Sequence, residues 1–394
     1  MPDQDINVKT GSFWEKTCPK TNFPPLMEGL EVDTVILGGG IAGITTATLL
    51  KDLGHTVALI ESDRIVEEVT IGTTAKISVA PNMIYDNLIK TLGITTAQKY
   101  ANANQKALEK IAEIVTEKKI DCEFHRTPLY IYTESSDKVE KINEEIKAAK
   151  KLGLPVDHAN NVPLPFDTAN ALMYENQAQF HPRKYLLGLA ENLEGRGCYI
   201  FEKTRAMTVN TGSHKKEVIT DRGSIMSDNV VITTHTPVYD PDQLINHLHP
   251  ARSYVIGLYV NEQFPDGMFI DFDPVHTYRT TPTSRGQLVI IAGEHSDINV
   301  KDMNEYYTRL ENYARHHLDV KSVEYRWSSH DSSSDDGLPM IGMTSSEGIY
   351  VATGFGFWGM NNGTTSAMII SDMIEGKKTH LKNIFDPLRF KSKL

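Results

Sequence analysis

Residues 33 to 61 read "DTVIL", "GGGIAGITTATLLKDLG" and "HTVALIE": an apolar strand, a glycine-rich turn that opens a helix, and a second strand ending in an acid. No other stretch restricts the fold as strongly. Gly38, Gly40 and Gly43 satisfy G-x-G-x-x-G, and Glu61 stands 23 residues after Gly38. The glycine pattern alone occurs in many turns, but between a strand and a helix, with an acid closing the next strand, it predicts a βαβ dinucleotide-binding unit. Gly38 permits the tight turn, Gly40 lets a pyrophosphate approach the backbone, and Gly43 lets helix and strand pack closely. Ile41 and Ala42 begin the helix, whose unpaired N–H groups suit a phosphate. Glu61, with Ser62 beside it, is placed to accept ribose hydroxyls, and an acid there favours FAD or NAD over NADP.

A second glycine-rich turn lies near the other end, in "ATGFGFWGMNNGTTSAMIISDMI" (352–374), with Gly at 354, 356, 359 and 363 followed by an apolar helical pattern. Between the two turns the chain leaves the simple βαβ repeat. Residues 84–151 carry apolar residues at three and four spacing and read as helical. "HPRKYLLGLAENLEGRG" reads as a helix opened by proline, followed by the strands "CYIFE", "AMTVNT", "KEVITD" and "NVVITTH". Residues 240–330 read as a mainly antiparallel sheet, with strands "SYVIGLYV" and "QLVIIAG" and one helix, "KDMNEYYTRLENYARHHL". "SSHDSSSDDG" reads as a polar loop before the last strand. The two glycine turns then belong to one discontinuous domain, expected over 1–85, 170–240 and 331–394, with a substrate or cap domain over 86–169 and 241–330.

Bulk properties exclude other classes. At 394 residues the chain exceeds one ordinary core, and a formal charge of -11 opposes nucleic acid or anionic lipid as a partner. The N-terminal "MPDQDINVKTGSFWEK" lacks an apolar leader, and no apolar run approaches the roughly 18 to 20 residues that span a bilayer. Three scattered cysteines fit a reducing compartment, so a cytoplasmic location is expected. His247-x-His249 and His316-His317 lack convergent ligands, so no metal site is expected.

The residues resemble a family, the D-amino-acid oxidase (glycine and sarcosine oxidase-like) superfamily of FAD enzymes. The matching elements are "VILGGGIAGITTATLL", "VALIESDRI", the hydroxyl loop "GTTAK", "FHPRKYLLGLAENLEGRGCYIFEKT", "VVITTH", "DDGLPMIG" and "IYVATGFGFWGMNNGTTSAMIISDMI". Within it, "SFWEKT", "TTAKI" and "ATGFGFWGMNNGT" look most like flavoproteins that often carry a C-terminal Rieske domain. The chain stops at Leu394 without a C-x-H…C-x-x-H ligand set, and Gly72 stands where related sequences commonly carry histidine. A role resting on that imidazole, such as a flavin linkage, does not carry over.

The resemblance implies a two-domain α/β (α+β) fold: a glutathione-reductase-type Rossmann FAD-binding domain, discontinuous in sequence, and a substrate domain with a mainly antiparallel sheet plus helices. It places Thr73, Thr74, Ala75 and Lys76 beside the isoalloxazine, gives the backbone around Met207 to the adenine, and adds Thr233 and Thr234 to the cofactor site. Gly354, Phe355, Gly356, Trp358, Gly359 and Met360 would meet the redox-active ring, where the helix N-terminus favours negative charge. The implied chemistry is hydride transfer from a carbon beside an amine nitrogen, with an amine or amino-acid-like small-molecule substrate and reoxidation by oxygen or an electron carrier. Arg252 with Tyr254, and Tyr278 with Arg279, are candidates for a substrate carboxylate. Lys76 and His295 are the remaining candidates for chemistry. The alternatives are a flavin dehydrogenase serving a separate iron–sulfur partner, and a non-catalytic FAD-binding protein.

Overall fold

The computed structural model describes residues 8–212, 215–379 and 381–393. Residues 1–7, where part of the polar N-terminal reading falls, lie outside them. Among the described residues, two sheets organise the chain. In the smaller, of eight strands, Ile349–Thr353, Gly223–Ile232, Leu30–Leu37, Val57–Ile60 and Cys198–Phe201 run parallel side by side. Their apolar runs are buried, as expected for parallel strands covered on both faces. Met340–Met343 adds an antiparallel edge, and Ala206–Thr211 and Lys216–Thr220 form a meander onto Gly223–Ile232.

The helices that follow the two glycine turns, Ile41–Asp52 and Gly359–Ile374, pack against each other. Small residues make the approach possible: a Cβ on Gly363 would lie 2.9 Å from Ile41 Cγ2. Most of each helix is buried, so neither shows the polar face of a surface helix.

The larger sheet has ten strands and is mainly antiparallel. Its centre is Val320–Ser334, Leu248–Val260, Gly286–Ser296 and Val275–Thr283, with Asn304–His317 packed against it. Three sequence readings change here. The polar "SSHDSS" is not a loop but the end of the long strand Val320–Ser334, held by a continuous ladder to Leu248–Val260. His125–Thr133, inside the stretch read as helical, is a strand between Asn170–Gln179 and Met268–Phe272. Asn170–Gln179 itself, expected with the nucleotide-binding unit, belongs to this larger sheet. Among the described residues, no helix is long and apolar enough to cross a membrane.

Candidate active site

Where the C-terminal ends of the parallel strands face the larger sheet, an open cavity, about 1270 Å³ with the solvent space at its mouth included, joins both glycine turns. Gly40, Ile41 and Ala42 line one part, Thr70 and Gly72–Thr74 a second, and Gly354, Phe355 and Phe357–Met360 a third. Ser253, Val255, Val275, Thr277, Ala292, Gly293 and His295 of the larger sheet complete the wall.

The first turn is shaped by its own packing. Gly38 has φ +110°, and a Cβ on Gly43 would lie 2.0 Å from the Gly38 carbonyl oxygen. Glu61 Oε2 accepts from Gly39 N–H at 2.8 Å, and Oε1 accepts from Ser62 Oγ–H at 2.9 Å and Asp63 N–H at 3.1 Å. The carboxylate thus stands at the strand end beside the turn, with oxygen lone pairs still available. Thr233 Oγ1 donates toward the Leu37 and Gly38 carbonyls, fixing the turn from the neighbouring strand.

The hydroxyl loop is tied down through its carbonyls. Trp14 Nε1 donates to Thr73 O at 2.8 Å, and Trp327 Nε1 to Gly72 O at 3.0 Å. Arg279 is buried behind the loop, its Nη1 3.1, 3.0 and 3.0 Å from the carbonyl oxygens of Thr74, Ala75 and Phe180, and its guanidinium 5.3 Å from the Trp14 ring. These bonds hold Ala75 in the left-handed region at φ +57°. Lys76 then reaches the cavity, where its ammonium donates to Thr277 Oγ1 at 2.8 Å and Thr74 Oγ1 at 3.1 Å. Burial first, and Arg279 second, holds Lys76 well below the ordinary lysine range. Burial also lowers Arg279, to about 9. At Gly72 a Cβ would lie 2.6 Å from Ser329 Cβ and Oγ, so any side chain there requires Ser329 to move.

The second turn is held by the larger sheet. Gly356 N–H donates to Ser332 O at 3.0 Å, and Phe357 N–H, in a residue with φ +67°, donates to Asp331 Oδ2 at 2.7 Å. The helix from Gly359 begins at Trp358 without a side-chain cap, and Trp358, Gly359 and Met360 at this helix start line the cavity.

The sequence candidates divide accordingly. Gly40, Ile41, Ala42, Thr73, Thr74, Lys76, Thr233, His295, Gly354, Phe355, Trp358, Gly359 and Met360 line the cavity. Gly38, Gly43, Glu61, Ser62, Ala75 and Gly356 adjoin the lining residues without lining the cavity themselves. Thr234 is half-buried outside the lining, and Met207 is exposed on its strand. The proposed carboxylate partners also stand outside it. Arg252 donates to Ser328 Oγ, Tyr254 is buried with its hydroxyl 2.9 Å from Ser296 Oγ, and Arg279 and Tyr278 are buried. The sequence reading missed His235 and Asp331, both of which line the cavity. Burial raises the Asp331 carboxyl to about 6 and lowers His235 and His295.

A cradle that a Cβ would fill at Gly40, 2.9 Å from Thr70 Oγ1, helix starts whose N-cap residues make no side-chain cap bond, the first with Ile41 N–H on Thr70 Oγ1 at 3.3 Å, and a carboxylate at the strand end together fit a dinucleotide bearing a flat ring. Residues 33–373 match the DAO family, described as FAD dependent oxidoreductase. A Bacillus subtilis protein, "Putative Rieske 2Fe-2S iron-sulfur protein YhfW", is 36% identical over 384 residues, covering 96% of this chain and 75% of its own. The "Gamma-glutamylputrescine oxidoreductase" of Escherichia coli is 21% identical over 393 residues, covering 93% and 89%. Glycine oxidase from Geobacillus kaustophilus superposes with TM-score 0.78 at 16% identity, over 91% of this chain and 99% of that one. L-amino acid deaminase from Proteus vulgaris gives 0.75 at 18%, over 96% and 98%.

Proposed function

The chain belongs to the DAO family of FAD-dependent oxidoreductases, and from that premise we propose that it oxidises a small amine or amino-acid-like donor at a carbon bonded to nitrogen. The observation that carries this reading is the single cavity shared by both glycine turns and the face of the larger sheet. FAD, when bound, supplies the hydride acceptor.

In this reading the N–H groups of Gly40 and Ala42 bind the pyrophosphate, joined by that of Ile41 once it exchanges its 3.3 Å bond to Thr70 Oγ1, and Glu61 accepts ribose hydroxyls. Thr73, Thr74 and the N–H groups of Gly359 and Met360 fix the ring end. Trp358 and Phe357 wall the site against water. No arginine is among the residues lining the cavity, so Lys76 is the cation offered to an acidic substituent of the donor. An anion beside it would favour the charged form that burial otherwise disfavours. Thr277 and Thr74 orient the ammonium.

A second reading is a dehydrogenase whose electrons pass to a separate iron–sulfur protein. Its support is the 36% identity to a relative described as a Rieske protein. Both readings agree with a cytoplasmic location. Anaerobic mixing of the FAD-loaded protein with amines and amino acids tests them. Bleaching of the flavin absorbance identifies a donor; fast recolouring in air supports an oxidase, and slow recolouring a dehydrogenase. A protein that stays yellow with every amine and amino acid refutes the amine reading.

A further inference from the structure

We propose that His235 is the proton acceptor of this cavity and that Asp331 is the residue that orients it, an inference that rests on the amine reading above. His235 follows the strand Gly223–Ile232 and lines the cavity. Its main chain is fixed, because its carbonyl accepts from Thr353 Oγ1–H at 2.6 Å. Its Nδ1 lies 3.6 Å from Asp331 Oδ1, an ion-pair distance, while Nε2 lies 3.5 Å from Ser332 Oγ.

Asp331 cannot swing away from the imidazole. Its Oδ2 accepts from Phe357 N–H at 2.7 Å and its Oδ1 from Ser332 N–H at 2.8 Å. Two backbone donors therefore anchor a buried carboxylate, and Oδ1 keeps a lone pair facing His235. The Asp331 carboxylate, 3.6 Å from Nδ1, favours the tautomer with its proton there and makes Nε2 the accepting nitrogen; in the resting site Nε2 faces Ser332 Oγ at 3.5 Å, a long contact that an arriving ammonium displaces. Burial lowers His235 and so favours the neutral, proton-accepting imidazole. The other groups facing the pair are His330, edge-on to His235 at 5.0 Å, with Arg252 and Glu68 acting on His330. Lys76 and His295 face the same cavity.

The step is a single proton transfer. A donor amine arrives largely as ammonium, and only the neutral amine has the nitrogen lone pair that assists loss of hydride from the adjacent carbon. The N–H bond of the ammonium breaks, its electron pair stays on nitrogen, and the proton bonds to His235 Nε2. The positive charge moves from substrate to imidazole, where the Asp331 carboxylate faces it.

The test uses the FAD-loaded full chain, mixed anaerobically with glycine, sarcosine, putrescine and benzylamine across about pH 5 to 10. In the wild type, the limiting rate of bleaching should rise with pH through one ionisation. His235→Gln should lose that limb, with a plateau about 100-fold lower, and added imidazole should restore part of the rate. Asp331→Asn should keep the limb and move it to lower pH, because the imidazolium loses its carboxylate. NMR of the His235 ring nitrogens should show the same displacement without turnover. Flavin content and the thermal midpoint identify a folding failure; should His235→Gln not fold, the NMR displacement in Asp331→Asn decides. An unchanged limb in His235→Gln, or an unmoved His235 titration in Asp331→Asn, overturns the inference and leaves the amine reading standing. If none of the four amines bleaches the wild type, the His235 titration in Asp331→Asn decides this inference, and the full panel of amines and amino acids decides the amine reading.

Discussion

The two glycine-rich turns look alike in sequence and are held by different forces. In the first, the protein itself demands glycine: a Cβ on Gly43 would meet Gly38 O at 2.0 Å, and one on Gly38 would meet Thr233 O at 2.9 Å. In the second, the nearest atom to a Cβ on Gly359 is Phe355 Cδ2 at 4.0 Å, and to one on Gly356 it is Ser333 Oγ at 3.7 Å. Gly356 still needs glycine for its φ of +59°, but Gly359 has neither positive φ nor crowding. Its small size makes sense only if something else occupies the cavity beside it. Gly38 and Gly43 of the first turn answer to packing, whereas Gly359 of the second answers to the cavity, on a turn steadied by Asp331 and Ser332 of the larger sheet.

The strongest way to break this comparison is Gly43→Val. Forcing a side chain against a backbone carbonyl should cost about 3 kcal/mol or more. Because the clash is within the protein, the loss should appear in FAD-free protein as well as FAD-loaded protein. Equal denaturation midpoints for the FAD-free variant and wild type would remove the packing account.

Asp331 gives the next test, at the anchor of the second turn. Burial lifts its carboxyl from an ordinary 3.8 to about 6. Between those values the unfolded chain has released the proton and the folded chain has kept it, so stability falls as pH rises through that window. The full excursion is at most about 3 kcal/mol. Asp331→Asn should flatten the dependence without abolishing it, because Asp271, also raised to about 6 by burial, contributes in the same direction. Identical slopes in variant and wild type would show that Asp331 is not the titrating group.

Between the turns, the hydroxyl loop depends on Arg279. Arg279→Met leaves the carbonyls of Thr74, Ala75 and Phe180 without their buried cation, which should lower stability by about 2 kcal/mol. The loop should also loosen, seen as faster amide exchange over 72–76. A variant with wild-type stability and exchange would return Arg279 to the list of substrate-binding candidates.

What could be read from the sequence follows the same division. The first turn, Glu61 and the second turn were legible because their logic is local: glycines at fixed spacing, a strand before and a helix after. The strand Val320–Ser334 was not, because its "SSHDSSS" carries no apolar alternation and is held by a ladder to Leu248–Val260. Arg279 looked like a carboxylate ligand because its partners are backbone carbonyls far away in the chain, which leave no pattern around it. The pairing of His235 with Asp331 was hidden for the same reason: it arises where two different sheets meet. "SFWEKT" was noticed as a motif, but only the bond from Trp14 to Thr73 explains what it does.

Gly359→Leu is the finest test, because the comparison requires two opposite results from one substitution. Without FAD, the added side chain enters open space at a helix start, where leucine is a better helix former than glycine. Stability should therefore stay within about 0.5 kcal/mol of wild type or rise slightly. With FAD, the same side chain occupies ring space, and affinity should fall at least tenfold, about 1.4 kcal/mol. Flavin titration and denaturation of the FAD-free protein measure the two effects separately. Loss of stability without FAD would mean that the second turn, like the first, exists for packing. Unchanged affinity would mean that the ring does not approach Gly359. Only the split result, a fold that tolerates leucine and a site that does not, leaves Gly43 fixed by the chain and Gly359 by its ligand.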